Sequence, residues 1–240
     1  LHERVAQGIF GYPSIHEAPG GLPEVLVERM ERLYGWKITP EDLVFIPGVV
    51  TGLNLACQAL AEPGGGVLIQ TPVYMPFLRL ASNAGMIPQE MELSQGVDGN
   101  YHVNWQKFEG AFDKHTRAFV LCNPHNPVGR VYHRAELERM AEICLRKGVV
   151  ICSDEIHCDL LFSGQKHIPI ASLDPEIAQN TITLMAPSKT FNIAGLQCSF
   201  AIVQNAELRE KLKQAGKGLA GWVNMMGAVA ALAAYREGQE

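Results

Sequence analysis

Lys189 stands in Ala186-Pro187-Ser188-Lys189-Thr190-Phe191-Asn192, a small, polar, turn-prone stretch directly after the apolar run Thr181 to Met185. The run reads as a buried strand. A lysine at the mouth of a sheet contributes little to packing, but its amine can condense with a carbonyl and later carry protons. Two polar stretches lie upstream, Ser153-Asp154-Glu155-Ile156-His157 and Asn123-Pro124-His125-Asn126-Pro127-Val128-Gly129. Each again follows an apolar run. Earlier still, Pro47-Gly48-Val49-Val50-Thr51 turns from a strand into a helix, where open backbone N–H groups suit an anion. Tyr74, after Thr71-Pro72-Val73, offers a flat ring.

The elements that must position these residues follow from hydrophobic spacing. Leu43–Ile46, Val67–Gln70, Ile87–Glu92, Arg117–Cys122, Val149–Ser153, Thr181–Met185 and Cys198–Val203 read as strands. Between them, helices are expected from Leu22 onward, with Pro23 in the first turn, over Val50–Ala61 and Met75–Asn83, from the Asn104 cap to Phe112, and over Arg134–Lys147, Glu207–Ala215 and Trp222–Arg236. Strands apolar on both faces that alternate with helices predict a three-layer α/β/α sandwich around a mostly parallel sheet. In such sheets ligands bind beyond the carboxyl ends of the strands. Asn126, Asp154 and Lys189 each follow or end a strand, and Thr51 opens a helix after another, so four segments converge on one rim.

The bulk properties narrow the function. The 240 residues are 47% hydrophobic and 19% charged, which is ordinary for a globular chain able to bury a sizeable core. The net charge is −5 and no basic tract appears, which argues against nucleic acid as a partner. No apolar run approaches the ~20 residues of a membrane span. Cys57, Cys122, Cys144, Cys152, Cys158 and Cys198 form no C-x-x-C pair and sit mostly in apolar runs. They read as buried reduced thiols, with neither disulfide nor metal site expected, and point to the cytoplasm. Leu1-His2-Glu3-Arg4 reads as helix, not as a signal peptide, and Met226 to Glu240 as a helix without a closing element, so the sequence reads as the middle of a longer chain.

The polar set matches what pyridoxal phosphate requires. Lys189 would hold it as a Schiff base, and Asp154 would face the pyridine nitrogen and keep it protonated. The turn at Gly48–Thr51 would take the phosphate, assisted by the Thr51 or Ser188 hydroxyl. Tyr74 would pack on the ring, and Asn126 and His157 would reach its hydroxyl oxygen. Singly, each residue has an ordinary reading: a turn cap for Asp154, a half-buried aromatic for Tyr74, a satisfied structural imidazole for His157. Their joint order along one α/β chain favours the cofactor.

The motifs CNPHNPVGRVY (Cys122 to Tyr132), SDEIHCDL (Ser153 to Leu160), the following Gly164 to Pro169 with His167, and SKTFNIAGLQ (Ser188 to Gln197) carry a resemblance. The chain resembles the aminotransferase class I/II superfamily, the fold-type-I pyridoxal-phosphate enzymes, and within it the MalY/PatB group of cystathionine β-lyases. The resemblance spans essentially all of residues 1–240 and implies the large cofactor-binding domain, with an N-terminal segment and a C-terminal small domain lying outside it. It implies Lys189 as the Schiff-base lysine, Asp154 as pyridinium partner, Asn126 and His157 beside the ring hydroxyl, Tyr74 stacked on the ring, and Val49, Val50 and Thr51 around the phosphate. Tyr12 matches a tyrosine that reaches the neighbouring subunit's phosphate, which implies a homodimer with shared active sites. One departure is Gln197, where aspartate-type aminotransferases carry a phosphate-binding arginine eight residues after the lysine. Hydroxyls and amides then carry more of the phosphate.

The implied activity is cleavage of cystathionine or related cysteine S-conjugates to pyruvate, ammonia and a thiol, begun when Lys189 removes the α-proton of an amino-acid substrate. An aminotransferase shares that first step and is the alternative. A cofactor-binding regulatory protein on the same scaffold is the non-enzyme alternative.

Overall fold

The computed structural model of the chain describes residues 1–11, 21–162 and 164–238. Seven strands build the main sheet: β1 (Leu43–Ile46), β2 (Gly66–Thr71), β3 (Ile87–Glu92), β4 (Thr116–Cys122), β5 (Val150–Asp154), β6 (Thr181–Met185) and β7 (Ser199–Ile202). Their order across the sheet is β3-β2-β4-β5-β6-β7-β1. Neighbours run parallel except at β7, which is antiparallel to both β6 and β1. Two reversals cancel, so β1 runs the same way as β2 to β6, and six strands end on one rim.

The longer helices among the described residues are α1 (Leu22–Tyr34), α2 (Val49–Ala59), α3 (Arg134–Lys147), α4 (Ala206–Gly216) and α5 (Met225–Glu237). Strand periodicity sorts the core. Val67, Ile69, Ala118, Val120, Cys152, Ile182, Leu184 and Ala201 share one cluster with Leu53 and Ala56 of α2 and Leu208 and Leu212 of α4. The alternating residues Leu68, Phe119, Leu121 and Ile151 pack with Leu137, Met140 and Cys144 of α3. Met185, Phe200 and Ile202 pack with Leu26 and Met30 of α1 and Ala228, Ala231 and Tyr235 of α5. The result is the three-layer sandwich that the apolar runs predict, with β6 buried at all five positions.

Two glycines set how α2 meets the sheet. A Cβ at Gly52 would lie 2.5 Å from Leu184 Cδ2, so only glycine lets the helix lie this close to β6. Gly48, at φ +124°, turns the chain from β1 into α2 with a conformation that side-chain-bearing residues rarely adopt.

Several helix boundaries differ from expectation, two of them for a local reason. Met75–Asn83 divides into a 3₁₀ turn, Met75–Arg79, and one α turn, Leu80–Asn83; Pro76 lies in the first turn, which closes by the Phe77 N–H donating to Tyr74 O at 2.9 Å. The helix after Asn104 stops at Gly110. The last helix starts at Met225 because the Asn224 side chain accepts from the N–H groups of Met226 and Gly227. All six cysteines are free and buried. No helix among the described residues is long and apolar enough to cross a membrane.

Candidate active site

Asp154 closes β5 and stands level with Cys122 of β4 and Leu184 of β6. It is 5% exposed. One carboxylate oxygen, Oδ1, accepts the Ile156 N–H at 3.0 Å, and Oδ2 has no hydrogen-bond partner among the described residues. Burial pushes the carboxyl up to about 7; the Ile156 N–H opposes that rise, the neighbouring Glu155 adds to it, and the Lys189 ammonium pulls it back.

Lys189 follows β6 by four residues. Ala186 and Pro187 are buried, Ser188 is half-buried and Lys189 is exposed. The loop is tight: the Phe191 N–H donates to Pro187 O at 3.0 Å, the Ile193 N–H to Ser188 O at 3.1 Å, and Asn192 takes φ +54°. The Lys189 charge acts on His157 as well as on Asp154. Burial first, then that ammonium, holds His157 below the usual imidazole range, against a hydrogen bond to the Pro124 carbonyl. Lys189, Asp154 and His157 therefore share one electrostatic neighbourhood, and Pro124 brings the segment after β4 to it.

Asn126 is half-buried; its backbone N–H meets Cys122 Sγ at 3.4 Å, and its side-chain amide has no partner among the described residues. Behind it, His125 joins two loops. Its Nε2 lies 2.9 Å from Pro72 O and its Nδ1 3.1 Å from the Tyr132 hydroxyl. Burial holds this imidazole down at about 4, so it stays neutral at physiological pH. The Pro72 contact ties the loop after β2 to the loop after β4 and so orients Tyr74. That ring is 44% exposed and meets Phe77 edge-on at a centroid distance of 6.5 Å.

The start of α2 completes the rim. The Gly48 N–H donates to Ile46 O at 2.9 Å and to Ser199 Oγ at 3.0 Å, while the Ser199 hydroxyl donates to Ile46 O at 2.7 Å. No side chain caps the helix, and the N–H groups of Val49, Val50 and Thr51 have no acceptor among the described residues. Val49 is buried, Val50 and Thr51 half-buried. An uncapped helix start with a positive dipole end is a seat for an anion.

Tyr12 lies outside the described residues. Gln197 is exposed, at φ +50° after the 3₁₀ turn Ala194–Leu196. Sequence reasoning missed two groups beneath the rim. Glu155 is fully buried and accepts from Ser153 Oγ (2.9 Å) and the Ile170 N–H (3.2 Å), with His167 Nε2 at 2.7 Å. Asp159 takes Arg29 Nη2 on one oxygen and Thr190 Oγ1 on the other. Glu155 and His167 were visible only as letters of a motif, and Arg29 stands 130 residues from Asp159, so only the fold pairs them.

Among the described residues, no group of three or more His, Cys, Asp or Glu side chains could hold a metal ion. What the rim offers is an amine, a buried carboxylate with an uncommitted oxygen, an amide and an imidazole, an exposed aromatic ring, and open helix amides. That donor set fits a small heterocycle carrying a carbonyl, a ring nitrogen able to be cationic, and an anionic arm.

The family model for aminotransferase class I and II matches residues 4–240. The cystathionine beta-lyase PatB of Bacillus subtilis is 41% identical over 241 residues, covering 99% of this chain and 61% of the relative. The crystal structure of cystalysin from Treponema denticola, which contains pyridoxal 5'-phosphate, superposes with a TM-score of 0.93 at 34% identity, over 99% of this chain and 62% of that one. Kynurenine–oxoglutarate transaminase 3 of Rattus norvegicus is 33% identical over 201 residues, 80% of this chain and 42% of the relative. The chain thus spans at most about three fifths of the length of these relatives.

Proposed function

Because the chain belongs to the aminotransferase class I and II family, we propose that residues 1–240 form the cofactor-binding large domain of a pyridoxal-phosphate-dependent carbon–sulfur β-lyase. Its substrates are cystathionine or related cysteine S-conjugates, cleaved to pyruvate, ammonia and a thiol. The observation that carries this is the convergence of Lys189, Asp154 and His157 in one electrostatic neighbourhood, on the same strand rim as the uncapped start of α2.

When bound, the cofactor supplies an aldehyde carbon for the substrate amine and a protonated ring that draws electrons from the α-carbon. The chain's own residues supply the rest. Lys189 Nζ would hold the aldehyde carbon, and as a free amine it would take the α-proton. Asp154 would hold the ring nitrogen; a cation there would favour the carboxylate that burial alone disfavours. The amides of Val49, Val50 and Thr51, with the Thr51 and Ser188 hydroxyls, would hold the phosphate. Asn126 and His157 would hold the ring hydroxyl, and Tyr74 would pack on the ring. The subunits pair into a homodimer with shared active sites, and the enzyme works in the cytoplasm.

The transaminase relative supports an aminotransferase as the second reading, because removal of the α-proton by Lys189 begins both reactions. The test uses the full-length protein. Borohydride reduction followed by peptide mass mapping should fix the cofactor on Lys189, and cystathionine should yield pyruvate without an added keto acid. A cofactor mass on another lysine, or none, would sink the site. Amino transfer that requires a keto acid and releases no pyruvate would replace the lyase by the aminotransferase.

A further inference from the structure

Lys189 stands in a loop, and a loop amine must be held still to work. Beneath it lies a group that no step above uses. Asp159, five residues past Asp154, is bound on both oxygens: Arg29 Nη2 reaches Oδ1 at 2.5 Å and Thr190 Oγ1 reaches Oδ2 at 3.1 Å. Arg29 comes from α1 and is 5% exposed, and its guanidinium also lies over the Tyr235 ring of α5, 4.8 Å from the centroid. Phe191, next to Thr190, packs edge-on against the same Tyr235 ring at 5.9 Å. The residue after the lysine and the one after that are thus tied to helices α1 and α5 through one carboxylate and one aromatic ring.

We infer that Asp159 and Thr190 are positioning residues: the carboxylate, fixed by Arg29, holds the Thr190 hydroxyl and so sets where the Lys189 amine stands against Asp154 and His157. The inference rests on the reading of Lys189 as the reacting amine. A salt bridge serving only to stabilise α1 would need Arg29 and Asp159 but not the threonine hydroxyl. The second carboxylate oxygen, turned to Thr190, is the part that stability alone leaves unexplained.

Thr190→Val isolates that part, because it keeps the shape of the side chain and leaves the Arg29–Asp159 pair in place; Thr190→Ser restores the hydroxyl. In the full-length holoenzyme, T190V should lower kcat about tenfold with KM within about twofold, and T190S should return to within about twofold of the parent. Two readouts do not depend on turnover. The rate at which apoprotein captures the cofactor aldehyde, followed by visible absorbance, should fall about tenfold in T190V. In cofactor-free protein, competitive acylation read by mass spectrometry should label Lys189 about threefold faster in T190V than in the parent, with the other lysines unchanged, because the amine is no longer held. Capture and labelling rates equal to the parent's, with only a lower melting temperature, would overturn the positioning role. The labelling arm decides this even if the parent protein captures no cofactor at Lys189, an outcome that would instead end the functional reading.

Discussion

Asp154 and Glu155 are consecutive, both are buried, and they are treated in opposite ways. Glu155 is 0% exposed and has a donor for each oxygen: Ser153 Oγ and the Ile170 N–H on Oε1, and His167 Nε2 on Oε2. Asp154 has one donor, from Ile156, and keeps Oδ2 uncommitted. Asp154 is the last residue of β5 and Glu155 the first beyond it. Glu155 holds its own loop together, drawing in Ile170 from fifteen residues on. Asp154 feels the Lys189 ammonium and bears the cost of burial, its carboxyl pushed up to about 7. A buried group left under-satisfied is destabilising unless something else completes it. The difference between the neighbours separates what the fold needs from what a ligand is to complete.

The largest effect should come from removing the amine. Lys189→Ala should abolish the visible absorbance of the bound cofactor and essentially all turnover, with the melting temperature almost unchanged, since the side chain is exposed. Asp154→Asn comes next: kcat should fall about 10²–10³-fold, because the amide cannot hold a charged ring nitrogen. The cofactor-free D154N protein should nonetheless be no less stable than the parent. Glu155→Gln should do the reverse and destabilise the fold by about 2–3 kcal/mol in urea unfolding, since it weakens the buried hydrogen bonds that Glu155 accepts. If E155Q abolished activity at unchanged stability, the contrast between the neighbours would be wrong.

The same contrast has a pH signature in cofactor-free protein. The folded pKa of Asp154 lies above its ordinary 3.8, at about 7, so the folded chain holds the proton longer than the unfolded chain does. Its contribution to stability is full below about pH 4 and is lost as pH rises through about 7. The loss is on the order of 4 kcal/mol, and D154N should remove that slope. Unfolding free energies of parent and variant that ran parallel from about pH 4 to about pH 8 would deny Asp154 its burial cost.

How much of this was legible follows the range of the interactions. Leu43–Ile46, Ile87–Glu92, Thr181–Met185 and Arg134–Lys147 have the bounds their hydrophobic spacing predicts, because that spacing is a local signal. The exposed edge strand β3 tolerates Pro88, as edges do. The errors sit where one side chain overrides periodicity, as at Asn224, which delays α5 by three residues, and at Pro76, which makes a helix start as 3₁₀. At the rim, Lys189, Asp154 and His157 were readable because each follows its strand in sequence. What lay hidden was the support: Arg29 with Asp159, Gly48 with Ser199 and Glu155 with His167 are pairs 130, 151 and 12 residues apart. Such pairs exist only once the fold brings their segments together.

The smallest effects should separate the same two kinds of residue at the start of α2. Ser199 is committed to the fold, since its hydroxyl donates to Ile46 O and accepts the Gly48 N–H, joining the end of β1 to the turn that opens the helix. Gly48 keeps its bond to Ile46 O without that hydroxyl, so Ser199→Ala should cost only about 1 kcal/mol of stability. The Thr51 hydroxyl has no hydrogen-bond partner among the described residues, and Thr51→Val should change stability by less than about 0.5 kcal/mol. For phosphate affinity the ranking should invert. T51V should weaken binding of inorganic phosphate to cofactor-free protein, measured by calorimetry, by about threefold to tenfold, as loss of a hydrogen bond to a charged group implies. S199A, which removes no donor from the seat, should weaken it less. Equal losses of phosphate affinity in the two variants would mean that the shape of the turn, and not its uncommitted donors, makes the seat.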